Sequence, residues 1–176
     1  MIRTERLILR DWREADVAPF AAMGRDPEVM AYLGPMLDTH EVRAAIERQR
    51  GYQATLGHCF WALERLEDGA FLGFCGLKPG AAGTPIEGEV EIGWRLARDA
   101  WGQGYAREAA AASLDWGWAR GMPRITAITV PANVRSWGLM ERLGMRRLPD
   151  QDFAHPALAP DDPLSRHIVY AIDRPA

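Results

Sequence analysis

The sequence predicts an α+β fold, a mixed sheet with helices packed against it. Three features point there. Residues from about 14 to 55 carry helical periodicity. From Cys59 the period shortens to that of strands, which recur at 60–63, 71–77 and 89–96. Beyond Gly104, helix and strand alternate to the end of the chain.

Each element has its own local reason. Leu7-Ile8-Leu9-Arg10 reads as an opening strand. Glu14 to Met23 places Val17, Phe20 and Ala21 on one helical face, and Asp26-Pro27 starts a short second helix that Gly34-Pro35 ends. The third helix has the clearest start: Asp38 can cap the first-turn amides, and Glu41 completes a capping box. It runs to about Thr55 and closes at Leu56-Gly57. Two strands, 60–63 and 71–77, are joined by the turn Glu67-Asp68-Gly69. After a Gly/Pro-rich loop, residues 89–96 alternate strictly: Val90, Ile92, Trp94 and Leu96 on one face, Glu89, Glu91, Gly93 and Arg95 on the other. This is a third antiparallel strand, and its charged face asks for a reason. An alanine-rich helix from Tyr105 to Arg120 stops at Gly121 and Pro123, and a strand follows over 125–130. Asn133 can cap a short helix ending near Leu143, with Gly144 at its C-terminus, and 167–172 closes the chain as a strand. No repeat or linker divides the chain, so residues 1–176 are expected to form one domain.

The bulk numbers exclude several function classes. Apolar residues make up 48% and charged residues 26%, ordinary values for a soluble globular protein. No apolar run approaches the roughly 20 residues a membrane helix needs, and the N-terminus lacks the apolar stretch of a secretion signal. The cytoplasm is therefore the expected compartment, with no membrane partner. With Lys+Arg at 21, Asp+Glu at 24 and a formal charge of −3, binding to nucleic acid by phosphate neutralisation is not expected. Cys59 and Cys75 are expected to be reduced, packed thiols, and no Cys/His spacing suggests a zinc or other metal site.

The strongest local signal is a strand, then Trp101-Gly102-Gln103-Gly104-Tyr105-Ala106, then a helix. Glycines at 102 and 104 let the backbone approach a ligand, and the helix adds free amides and its positive dipole end. That combination suits a pyrophosphate. The stretch lacks the Lys-Ser/Thr ending of a Walker loop and does not match G-x-G-x-x-G.

With these motifs in order, the chain resembles the GNAT superfamily of N-acetyltransferases, close to the RimJ/RimL branch. The likeness runs from Thr4-Glu5-Arg6-Leu7-Ile8-Leu9-Arg10 through Glu91-Ile92-Gly93-Trp94 and the glycine turn to Asn133-Val134-Arg135-Ser136 and Glu141-Arg142-Leu143-Gly144-Met145. It implies a mostly antiparallel sheet with a splayed strand pair forming an acetyl-CoA cleft. It also implies that the backbone amides of Gln103, Gly104, Tyr105 and Ala106 hold the pyrophosphate. Trp101 stands where the general family pattern begins with Gln or Arg. The pantetheine arm is implied to pair with Trp94, Arg95 and Leu96 and to touch Asn133, with Arg142 near the nucleotide phosphate. Trp101 and Trp137 flank these elements.

Catalysis needs a neutral amine, so a base must take its proton. Glu91 and Glu89 share a strand face beside the implied cleft, and the resemblance favours Glu91. For the departing thiolate, the position where many family members place a tyrosine is Met140, which leaves Ser136 as the candidate donor. In the tail, Asp152, His155 and His167 read either as a proton relay or acceptor ligand, or as loop caps and edge-strand filling. The implied activity is direct transfer of an acetyl group from acetyl-CoA to a primary amine, a protein N-terminus or a small amine. The alternatives are a non-catalytic acyl-CoA-binding module and an enzyme using another acyl-CoA. The oligomeric state stays open, a homodimer included.

Overall fold

The computed structural model describes residues 1–175. Its front section contains β1 (Ile2–Arg3), β2 (Leu7–Arg10), α1 (Val17–Gly24), α2 (Pro27–Met30) and α3 (Thr39–Leu56). The sheet continues with β3 (Phe60–Arg65), β4 (Phe71–Pro79) and β5 (Val90–Leu96). The rear section holds α4 (Tyr105–Ala119), β6 (Arg124–Thr129), α5 (Val134–Arg142), β7 (Arg146–Arg147), β8 (Phe153–Ala154) and β9 (Arg166–Asp173). The strand order is β1-β2-β3-β4-β5-β6-β9-β7, with β8 paired to β9. All ladders are antiparallel except β5 with β6, which is parallel.

Local chemistry explains the principal boundaries. Asp38 accepts from the Glu41 amide at 2.8 Å while Glu41 accepts from the Asp38 amide at 2.7 Å, so α3 begins with two orphan donors satisfied. Gly57, at φ 75°, ends it in the left-handed conformation. A 3-10 turn at Glu14–Asp16 precedes α1, so the first helix is shorter than its periodicity suggested. The buried Asp16 explains this: its carboxylate accepts both from the Arg13 amide and from the buried Arg10 guanidinium.

Two apolar clusters occupy opposite faces of the sheet. One packs Trp12, Val17, Phe20, Val42 and Ile46 of the front section against Ala62, with Phe71 and Phe74 beside them. The other joins Trp61, Leu77, Ile92 and Ile125 to Tyr105, Ala109, Ala110 and Leu114 of α4. Gly117 brings α4 close, since a Cβ there would stand 2.9 Å from Ile125 Cδ1. Strand alternation therefore assigns each β4 or β5 side chain to one of two compartments. Phe74, Lys78, Glu91, Gly93 and Arg95 look toward the front section; Cys75, Leu77 and Ile92 look toward α4.

Three short strands, β1, β7 and β8, escaped the sequence reading. Two-residue strands have no period, and only pairing with β2 or β9 defines them. Among the described residues no helix is long and apolar enough to cross a membrane. Cys59 and Cys75 are both free and buried, and burial pushes each thiol up to about 12.

Candidate active site

The site begins where the sheet comes apart. On its β4 side β5 is paired without interruption, from Pro79↔Val90 to Gly73↔Leu96. On its β6 side pairing occurs only at Val90↔Ile125 and Glu91↔Thr126. The Thr126 hydroxyl donates to the Val90 carbonyl at 3.0 Å and fixes that junction. Beyond Glu91 the parallel strands diverge, leaving an edge of β5 open.

Which β5 groups face the opening follows from ladder alternation. Gly80 N–H donates to the Glu89 carbonyl and Ala97 N–H donates to the Leu72 carbonyl, both at 2.9 Å. Odd-numbered residues of β5 thus turn their polar backbone toward β4, and even-numbered ones turn theirs toward β6. The Ile92 C=O and both the N–H and the C=O of Trp94 consequently face the open edge, while the Ile92 N–H closes the last rung of the ladder at Thr126. The Leu96 carbonyl accepts from the Trp101 indole at 2.8 Å, which closes the far end. The Arg135 guanidinium lies 4.8 Å over that indole ring and ties α5 to the same corner. Arg95 has its backbone in the β4 ladder, so only its side chain, on the front face, is free to meet a ligand.

The second component is the start of α4. Gly102 and Gly104 have φ of 72° and 82°, the left-handed conformation glycine adopts without strain. Gly104 is the N-cap and no side chain caps the helix. The first main-chain bond runs from Glu108 N–H to the Gly104 carbonyl at 3.0 Å, so the amides of residues 104–107 have no helical acceptor. The turn is clamped from behind: Arg6 donates to the Gln103 carbonyl at 3.0 Å, lies over the Tyr105 ring at 4.6 Å and pairs with Glu108 at 2.7 Å. Rigid, bare amides at a helix start fit a pyrophosphate.

Across the opening lies α5. Asn133 Oδ1 accepts from the Ser136 amide at 3.3 Å, so the asparagine caps the helix. Ser136 is half-buried on the first turn, Trp137 donates its indole N–H to the Pro131 carbonyl at 3.1 Å, and Met140 is buried behind. Arg142 is exposed at the far end of the helix, with its guanidinium back along it beside Gly138.

Glu91 stands at the apex, in the last paired position before divergence. Its carboxylate is mostly buried and accepts from the ammonium of Lys78, its direct partner across the β4 ladder. Burial pushes its carboxyl above the ordinary range, against the opposing pull of Lys78. Glu89 lies on the closed side of the junction, ahead of β5, with one oxygen 3.9 Å from Arg124 Nε. Around Glu91 the front face is aromatic: Phe60 and Phe74 stack at 5.3 Å, and Lys78 sits 5.2 Å from the Phe60 ring centre. The Phe60 ring covers Gly93 so closely that a Cβ there would stand 2.5 Å from its Cζ. Lys78 and these rings were not singled out from the sequence; only a register for β4 against β5 could have found them, and the loop between is too long to fix one.

The tail does not assemble an Asp-His-His relay. Asp152 accepts from Arg147 at 2.7 Å and from Arg166 at 3.5 Å, and lines a cavity of about 510 Å³ with Trp137, Glu141 and Tyr170. Two arginines outbid the histidines for its charge. His155 and His167 instead pack on each other, ring centres 4.9 Å apart, and Pro156 rests against the β4–β5 loop at Gly83. Burial lowers both imidazoles, and at His155 the neighbouring His167 and then Lys78 lower it further. Among the described residues no group of three or more His, Cys, Asp or Glu could hold a metal ion.

Residues 6–146 match the family described as Acetyltransferase (GNAT) domain. The chain belongs to the GNAT acetyltransferase family. The uncharacterized protein YkkB of Bacillus subtilis is 35% identical over 146 residues, covering 81% of this chain and 83% of YkkB. A crystal structure of an acetyltransferase from Agrobacterium tumefaciens superposes with a TM-score of 0.78 at 28% identity, covering 97% of this chain and 92% of that one. The fold is also that of RimL, a ribosomal L7/L12 α-N-protein acetyltransferase solved with coenzyme A, at a TM-score of 0.76 and 17% identity, covering 97% and 95%. The mixed, mostly antiparallel sheet flanked by helices is thus a GNAT fold.

Proposed function

We propose that this GNAT acetyltransferase moves an acetyl group from acetyl-CoA directly onto a primary amine, with Glu91 as the base. The bound co-substrate supplies an activated thioester. The amides of Gln103, Gly104, Tyr105 and Ala106 hold its pyrophosphate, and the edge of β5 at Trp94 and Leu96, with Asn133 across the gap, lines its peptide-like arm. The free amide of Trp94 stabilises negative charge developing on the thioester oxygen. Glu91 takes one proton from the acceptor ammonium, and the neutral amine nitrogen bonds to the thioester carbonyl carbon. As the carbon–sulfur bond breaks, the nitrogen sheds its second proton to Ser136, whose own hydroxyl proton passes to the departing sulfur.

The single observation that carries this reading is the coincidence of three features at one place: the divergence of β5 from β6, the uncapped α4 start and a buried carboxylate at the apex. Glu89 is the weaker candidate because it sits on the closed side of the junction beside Arg124. Motif order supports a place near the RimJ/RimL branch, and the two buried free thiols suit a reducing compartment such as the cytoplasm. Met140, 2% exposed where many relatives carry a tyrosine, favours a second reading, a module that binds acyl-CoA without turning it over.

The test is release of free CoA thiol from acetyl-CoA in the presence of a panel of small amines and peptides with free N-termini. Amine-dependent release that falls on the order of 100-fold or more in Glu91→Gln, and little in Glu89→Gln, supports the transferase reading. Tight binding of acetyl-CoA with no amine-dependent release supports the binding module and contradicts catalysis.

A further inference from the structure

Arg10 is buried and Arg95 half-buried, both hold guanidinium nitrogens out of solvent, and the two are treated differently. Arg10 is 3% exposed and fully engaged: two nitrogens bond Asp16 at 2.8 Å, Nε bonds Glu64 at 2.6 Å, and the Asp11 carbonyl takes a further bond. Arg95 has none of this. Its Nε and Nη1 are sealed from solvent and, among the described residues, neither has a hydrogen-bond partner. Asp26 and Glu28 of the front section both pair with Arg98 and not with Arg95. What Arg95 does meet is the Phe74 ring, 5.5 Å from its guanidinium carbon. Burial alone lowers the group to about 10, so it stays a cation at neutral pH.

Charged side chains are seldom buried without a partner, because the lost hydration is not replaced. A cost of that kind is retained where a ligand completes the pair. The position defines the ligand. Arg95 shares the front face of β5 with Glu91, separated by four residues of strand, about 13 Å between Cα atoms. Gly93, beneath the Phe60 ring, lies between them. The co-substrate side is the open edge and the α4 face, so the group that comes to Arg95 arrives with the acceptor. A planar guanidinium matches a carboxylate by two parallel hydrogen bonds.

We propose that Arg95 binds a carboxylate on the amine acceptor, which makes the acceptor a small amino acid-like molecule. This rests on the transferase reading above and narrows it. The acid docks between Phe74 and the β5 strand, and the amine is directed back toward Glu91. A compact acceptor is required to reach Nε and Nη1, which are sealed from solvent and out of reach of a folded protein surface.

The experiment is calorimetric titration of the CoA-loaded full chain with the twenty standard α-amino acids, their carboxamides and glutamyl dipeptide amides, for the natural protein, Arg95→Gln and Arg95→Lys. At least one amino acid is expected to bind on the order of 100-fold more tightly than its carboxamide. Arg95→Gln is expected to erase that ratio and Arg95→Lys to restore part of it. Acetyl-CoA affinity of both variants stays within about threefold, and melting temperature does not fall, because no native pair is broken. The proposal is overturned by acids binding no better than carboxamides, a preference that survives Arg95→Gln, binding of the acidic dipeptides alone, or a variant that loses its fold. Arg95→Gln weakening acetyl-CoA or succinyl-CoA selectively also overturns it, by assigning the guanidinium to the donor. Failure of the natural protein to bind acetyl-CoA would instead strike the transferase reading itself.

Discussion

The two long helices begin in opposite ways. α3 starts with a reciprocal capping box in which Asp38 and Glu41 satisfy each other's amides. α4 starts on a left-handed glycine with no side-chain cap at all. The same contrast runs through the sheet: one edge of β5 is paired along its whole length, while the other is released after Glu91. It is repeated by Arg10, held by two carboxylates, and Arg95, held by none. The front section satisfies its own polar groups, and the region around β5 and α4 leaves them unpaired. Leaving buried or rigid polar groups unpaired costs free energy, and the ligands proposed above would offset that cost in this region.

The largest effect that can break this comparison lies at Glu91. The natural enzyme's kcat/KM should rise with pH as Glu91 loses its proton. Because burial raises that carboxyl, the rise is placed above the ordinary carboxylate range near 4.3. Glu91→Gln should remove the limb and lower kcat on the order of 100-fold or more, while Glu89→Gln keeps it. A limb that persists unchanged in Glu91→Gln assigns the base elsewhere.

A smaller effect separates donor from base. Ser136→Ala should lower kcat, by about tenfold at most, and leave acetyl-CoA affinity alone, since the Asn133 cap uses the Ser136 amide and not its hydroxyl. Equal losses in both quantities would make the serine structural.

The smallest effect sharpens the other half of the comparison. Asp38→Ala should cost about 1 kcal/mol of stability, read as a lower denaturant midpoint, with acetyl-CoA affinity unchanged. Any loss of affinity there would mean that the capped helix also serves the site.

Much of this was legible in the sequence because local chemistry wrote it. Asp38 and Glu41 announced α3, strict alternation announced β5, and Gly102 and Gly104 before an alanine-rich run announced the turn and α4. Where the answer depended on which strand lies opposite which, the sequence was silent. Lys78 is thirteen residues from Glu91 with a long loop between, so their ion pair is visible only in the register. Asp152 was read with the histidines because they are close in sequence, yet β7 and β9 bring Arg147 and Arg166 to it instead. The lack of a partner for Arg95 is a property of everything around it, and no local pattern encodes that.

The most direct test of the central idea is calorimetric titration of the natural protein and of Gly104→Pro with acetyl-CoA. Proline removes an amide from the bare α4 start and cannot adopt the φ of 82° found there. Micromolar binding to the natural protein that falls at least about 100-fold in a variant still folded by circular dichroism is the expected result. Equal affinity in the two proteins would contradict it, because acetyl-CoA would then be held somewhere other than the unpaired edge of β5 and the start of α4.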